Sequence, residues 1–155
     1  MKTGLIWFRN DLRIFDNPAL HFATQENSQI IPLYIFDTTS TTERHQRIGD
    51  AQTWWLLHSL KALSQSFSKR DIELIIETGD SVKILLSFIK QYSIGSVYWN
   101  KVYEPKAILR DKKIKYLLQT HGVEVREFNA SLLTEPESIR NKQGEFFKIF
   151  SPYFW

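Results

Sequence analysis

The sequence predicts an α/β fold: a doubly wound sheet of five parallel strands in the order 3-2-1-4-5, with helices on both faces. Three observations predict it. Short apolar runs alternate with longer helical stretches five times within 155 residues. The first of these runs, TGLIWF, is nearly continuous, as a strand buried on both faces must be. Cap-then-proline pairs, Asn17-Pro18 and Glu104-Pro105, mark two of the helix starts.

Taken in order, Thr3 to Phe8 is the first strand and Asn17 caps the helix that follows. Gln29 to Phe36, QIIPLYIF, is the second strand, with Pro32 its one awkward residue. Asp50 to Phe67 reads as a long helix whose Ala51, Trp54, Leu57, Leu60, Leu63 and Phe67 share one broad face. Glu73 to Glu77, ELIIE, is the third strand. Asp80 can cap the next helix, where Val82, Leu85, Leu86 and Ile89 follow helical spacing. Ser96 to Trp99 is the fourth strand, and the helix from Pro105 stops at Gly122, a left-handed C′ position. Val123 to Phe128 is the fifth strand. Right-handed crossovers leave few arrangements of these elements, and the Rossmann-like order 3-2-1-4-5 is preferred. Residues 1–130 form the α/β domain, and 131–155 an extension or the start of a linker.

Composition narrows the function classes. With 43% apolar and 24% charged residues the chain is an ordinary globular one, and no apolar run is long enough for a membrane span. The N-terminus lacks a signal-peptide layout, so a cytoplasmic protein is the default. The absence of cysteine excludes disulfides, thiolate nucleophiles and thiolate metal sites. His21, His45, His58 and His121 are scattered without metal-ligand spacing, so no metal site is expected. No nucleophile elbow and no Gly-rich phosphate loop is present, and no catalytic residue is assigned. A basic helix carrying Lys106, Arg110, Lys112, Lys113 and Lys115, with Lys101 just before it, reads as a solvated face, with nucleic-acid contact as the alternative. Six of the last ten residues are aromatic, from Phe146 to Trp155. Such an end needs cover, so the chain reads as cut short, with self-association through that end as a possible partner mode.

In an open sheet of this order, ligands bind outside the carboxyl ends of the first and fourth strands. Trp7 to Asp11 and Trp99 to Glu104 flank that point, with Phe36 and Asp37 close by. Arg9, Asp11 and Arg13 alternate in charge. They can pair with one another or with Asp16 and Asp37, pinning the loop, or one arginine can turn to a ligand anion. A glycine-free junction disfavours a pyrophosphate. Glu104, at a helix N-terminus, can accept paired hydrogen bonds from a pterin-like heterocycle, or it can be only a cap. Trp7, Tyr34, Phe36 and Trp99 can form a stacking wall, or can be core.

These stretches, WFRNDLRIFDNPAL, GDAQTWWLLHSLKAL, VYWNKVYEP and FFKIFSPYFW, resemble in order the N-terminal domain of the DNA photolyase and cryptochrome family, over almost the whole chain. The WFRNDLR and YWNKVYEP blocks look closest to bacterial class I photolyases. The resemblance implies an antenna domain holding methenyltetrahydrofolate or a deazaflavin, which passes light energy to FAD. It places FAD, and contact with damaged DNA, in a larger helical domain outside this chain, so the chain alone is not repair-competent. By the same resemblance Glu104, with Asn100 and Lys101 beside it, matches the folate-binding block. Tyr34, Ile35, Phe36 and Asp37 match the strand end lining a deazaflavin pocket, and Gln52 falls where the long helix closes it. Other readings are a cryptochrome-like photoreceptor domain, a stand-alone nucleotide-binding module and an inert remnant.

Overall fold

The computed structural model describes residues 2–39, 49–141 and 143–146. Its single sheet has β1 (Thr3–Phe8), β2 (Gln29–Asp37), β3 (Ile75–Gly79), β4 (Ser96–Asn100) and β5 (Glu124–Phe128). They lie parallel in the order β3-β2-β1-β4-β5, as expected. The helices are α1 (Pro18–Glu26), α2 (Asp50–Ser68), α3 (Ser81–Tyr92) and α4 (Pro105–Thr120).

Alternation along the strands builds two cores. Leu5 and Trp7 of β1, Leu33 and Ile35 of β2, and Val97 and Trp99 of β4 pack against Leu85 and Phe88 of α3 and Ile114 and Leu118 of α4. Ile6, Phe8, Tyr34 and Tyr98 point the other way, onto Ala19, Leu20 and Ala23 of α1 and Leu60, Leu63 and Phe67 of α2. Burial on both faces explains why the central strands are almost uniformly apolar.

The start signals are where the sequence places them. Asn17 accepts from Leu20 N–H, Asp80 accepts from Val82 and Lys83 N–H, and Pro18 and Pro105 open their helices. Gly122, just past α4, has φ +76°, a left-handed value that favours glycine. Gly4 meets a different demand: a Cβ there would lie 2.6 Å from Asn27 Nδ2. That amide is held by Ala23 O and the Tyr98 hydroxyl, both at 2.9 Å, so it has nowhere to go.

Two expectations are corrected. The third strand lies two residues later than ELIIE. Leu74 turns into the α2 core, while pairing with β2 carries the strand on to Asp37↔Gly79. The broad apolar face of α2 is buried only from Leu60 onward. Ala51 is exposed, Trp54 is 55% and Leu57 62% exposed, and in the first half of the helix only Leu56 packs on the core among the described residues.

After β5 the described regular structure is one 3-10 turn, Pro136–Ser138. His45, the residues from Phe147 to Trp155 and hence the self-association expected of that end fall outside the described residues. No helix among the described residues is long and apolar enough to cross a membrane.

Candidate functional site

The charged junction after β1 folds inward. Arg9 is only 7% exposed and its guanidinium pairs with Asp111, itself 5% exposed, on α4. It also donates to the carbonyl of Asn100, at the end of β4. The guanidinium lies over the rings of Trp7, at 5.0 Å, and Trp99, at 5.8 Å. Burial lowers its pKa, and Asp111 opposes that shift. A cation this deep needs a charged partner and acceptors. Asp111 of α4 and the carbonyl at the end of β4 supply them for two of its nitrogens, while Arg9 Nε is buried without a hydrogen bond.

Asn100 ties the loop to the sheet. Its Nδ2 donates to Asp11 Oδ2 at 2.5 Å and to Asn17 Oδ1 at 2.7 Å, and its Oδ1 accepts from Ala19 N–H at 3.2 Å. Asp11 accepts from Arg9 N–H at 2.9 Å. Arg13 donates to Asp16 O at 3.1 Å and to Ala130 O at 2.9 Å. The alternating charges therefore hold the loop: the Asn100 amide is fully engaged, and of the Arg9 guanidinium only Nε is left without a hydrogen bond among the described residues.

At the end of β2, Asp37 accepts from Ser81 Oγ at 2.5 Å and from Thr39 Oγ1 at 2.6 Å, with Arg110 at 3.7 Å. Burial alone would raise its pKa; these partners outweigh it and hold the carboxyl below its ordinary range. Arg110 also donates to Asp111 Oδ1 at 3.0 Å and lies 5.2 Å from the Trp7 ring centre. Asp111 thus joins the two networks, a role that local sequence did not reveal. One signal could have found it: Asp111, Ile114 and Leu118 form the buried stripe of an otherwise basic helix, and an acid on such a stripe calls for a buried cation.

Of the two readings open for Trp7, Tyr34, Phe36 and Trp99, a stacking wall or core, the core reading holds for Trp7, Tyr34 and Trp99. Trp7 and Trp99 are 1% and 0% exposed and meet edge to face at 5.6 Å inside the α3/α4 core. Tyr34 is buried on the opposite face, where burial raises its pKa, and Ile35 points away from it. Phe36 is half-buried against the α1/α2 core, and Gln52 accepts from Gly49 N–H at 3.4 Å. These residues do not share one pocket in the described structure.

Three of the expected residues do come together. Asn100, Lys101 and Glu104 lie in a cleft of about 530 Å³, bounded by the Asn100–Pro105 turn, Asp11 and Arg13, and Ala130–Leu132. It opens at the carboxyl ends of β1, β4 and β5, where ligands of such sheets bind. Glu104 is the residue before α4 and is exposed. Its side chain makes no capping bond and no ion pair among the described residues. Lys101 Nζ and the Tyr103 hydroxyl both donate to Glu135 Oε1, at 3.0 and 3.1 Å. Glu135 was not foreseen, since it lies in a stretch without periodicity; Tyr103 falls within the Trp99 to Glu104 range expected at the site, but its pairing with Glu135 was not foreseen. A similar groove of about 560 Å³, lined by Ile14, Phe15, Phe22 and Phe67, lies beside α1 and away from the strand ends.

Burial and the Glu135 carboxylate push the Tyr103 phenol up to about 12. A raised pKa favours the neutral phenol, so this contact stabilises the fold below pH 10 and is lost as pH rises towards 12. In a tyrosinate absorbance titration, Tyr103→Phe is expected to remove a late-ionising component, and Glu135→Gln to bring it earlier. A native curve superposing on that of Tyr103→Phe would contradict the contact.

The chain matches, over residues 4–155, the family described as DNA photolyase. It is 38% identical to a deoxyribodipyrimidine photo-lyase of Agrobacterium fabrum, over 100% of this chain and 32% of that protein. It is 36% identical to cryptochrome-1 of Arabidopsis thaliana, over 98% of this chain and 22% of that one. The crystal structure of a bacterial class III photolyase from Agrobacterium tumefaciens superposes with a TM-score of 0.87 at 36% identity, covering 97% of this chain and 30% of the other. The chain thus spans about a third or less of the length of these relatives. The class I likeness expected from two sequence blocks is not confirmed, since this structural relative is of class III.

Proposed function

The chain belongs to the DNA photolyase family, and on that premise we propose that it is the antenna-chromophore domain of a light-driven DNA repair protein. The proposed ligand site is the cleft between the Asn100–Pro105 turn and Ala130–Leu132. The single observation that carries this reading is Glu104, an exposed carboxylate without a side-chain partner at the N-terminus of α4, inside a cleft at the strand ends.

The donor set fits the pterin end of methenyltetrahydrofolate. An amino group and a ring N–H need a carboxylate that can accept both, and Glu104 is the acid here not already engaged. Lys101, Tyr103 and Glu135 make the wall beside it. Asn100, in this reading, positions the turn and does not touch the ligand. A deazaflavin site at Tyr34–Asp37 and Gln52 is supported less, because Tyr34 and Ile35 lie on opposite faces of the sheet. The chromophore, when bound, absorbs light and passes the energy on. The chain's residues hold its polar end and keep it oriented. FAD and lesion recognition belong, in this proposal, to a helical domain of the longer relatives.

A second reading, a photoreceptor domain, is favoured by the 36% identity to a plant cryptochrome. It uses the same site, and repair by the longer protein would exclude it.

The test is a fluorescence titration of the chain with methenyltetrahydrofolate and, separately, with a deazaflavin. Saturable folate binding is expected, weakened roughly 10- to 100-fold in Glu104→Ala by loss of charged hydrogen bonds. Binding untouched by that substitution, or confined to the deazaflavin, would overturn the assignment.

A further inference from the structure

The two helix layers differ sharply in charge. α3 and α4 together carry seven basic residues against one acidic, a net of +6, in a chain whose total is +3. On the other face α1 and α2 carry one basic residue against two acidic, a net of −1. The single acid of the basic layer, Asp111, is buried against Arg9 and leaves the surface uncompensated. Arg110 and Lys115 are engaged by Asp37, Asp111 and Glu127. Lys83, Lys90, Lys112 and Lys113 are exposed, and their ammonium groups make no ion pair among the described residues.

We propose that the outer face of α3 and α4 docks the phosphate backbone of a nucleic acid. This goes beyond the reading in which DNA is met only through another domain, and it does not depend on the chromophore site. An interface with a further protein domain is disfavoured by composition, because the core of such an interface is depleted in lysine. The exposed large apolar side chains of these helices are Leu109 at 70%, Tyr116 at 68% and, on α3, Tyr92 at 39%, which packs on Phe88; the first two stand among the lysines of α4. A lipid surface is disfavoured because the apolar stripe of α4 faces the protein core and not outward. Exposed ammonium groups without ion pairs, on two helices packed against the same core, are what phosphates spaced along a strand need. They act through charge, without reading sequence.

The test uses the whole chain with fluorescently labelled single-stranded and duplex DNA of unrelated sequences, followed by anisotropy over a range of salt. Binding at low salt is expected, with little dependence on sequence and a linear fall of log K with log salt. The double variant Lys112→Glu, Lys113→Glu is expected to weaken binding about tenfold or more and to reduce the duplex salt slope by about 2, one for each lysine that no longer meets a phosphate. The same reversal on the opposite layer, Lys61→Glu with Lys69→Glu, should change affinity less than about twofold, because neither lysine lies on the docking face. Circular dichroism checks that both variants fold; if the first does not, Lys112→Gln with Lys113→Gln replaces it. Absence of DNA binding at low salt, an equal weakening by the two reversals, or tighter binding to vesicles of anionic phospholipid would each overturn the proposal.

Discussion

Arg9→Ala is expected to destabilise the domain by about 3–5 kcal/mol, the range seen when one partner of a buried ion pair is removed. Several losses coincide at this one side chain. Asp111 keeps Arg110 but is deprived of its buried partner, in a site that is 5% exposed. The carbonyl of Asn100 is left without a charged donor at the end of β4. The space over Trp7 and Trp99 is left unfilled, in the middle of the α3/α4 core. Arg9→Lys should recover only part of this, because one ammonium cannot present the flat, forked donor set that meets Asp111 and Asn100 together. Urea unfolding followed by circular dichroism measures both. A change under about 1 kcal/mol for Arg9→Ala, the scale of an exposed pair, would mean that the pair is solvated in solution.

Asn100→Asp is nearly isosteric and should nonetheless cost about 2–4 kcal/mol at neutral pH. The amide donates to Asp11 and Asn17; a carboxylate there would donate to neither and would face Asp11 across the present 2.5 Å contact. Two carboxylates so close cannot both be charged, so the pKa of the introduced acid must rise in the folded state. A folded pKa above the unfolded value stabilises below the unfolded pKa, and that stability is lost as pH rises through the folded pKa. The deficit of the variant relative to the native chain is therefore expected to shrink on acidification towards pH ~4, where an ordinary aspartate takes up its proton, and to be largest near neutrality. A deficit independent of pH would contradict the Asn100–Asp11 contact.

Both predictions concern contacts that link residues far apart in the chain, and this marks what could be read from sequence. Local signals were legible: the continuous apolar run of β1, Asn17-Pro18, Asp80, Glu104-Pro105 and the left-handed Gly122 stand where the structure has them. The strand order followed from chain connectivity and handedness. Register did not follow. ELIIE is apolar enough to be a strand, yet pairing with β2 and the burial of Leu74 move β3 towards Gly79. Periodicity in α2 gave the helix but not where its burial begins; Trp54 and Leu57 keep helical spacing with Leu60 and Phe67 while facing solvent.

The site was legible to a similar degree. That Glu104 and Lys101 line the cleft at the strand ends was legible because a cap-then-proline pair, a strand end and the switch point of the sheet coincide in one short stretch. Arg9 and Trp7 were drawn to the same place by position along β1, but a buried strand end turns its side chains into the core as readily as into a crevice. Their partner Asp111 lies 102 residues from Arg9, beyond the reach of any local pattern. Glu135 lies in a stretch whose sequence has no period, and only the fold brings it to Lys101 and Tyr103.

The functional proposal stands or falls on whether the cleft beside Glu104 holds the chromophore. A crystal structure of this chain grown with saturating methenyltetrahydrofolate answers that without an intermediary. Ligand density is expected between the Asn100–Pro105 turn and Ala130–Leu132, with the Glu104 carboxylate in hydrogen-bonding reach of the pterin and the Arg9–Asp111 pair undisturbed beneath. An empty cleft, or density against Asp37 and Gln52 instead, would contradict it.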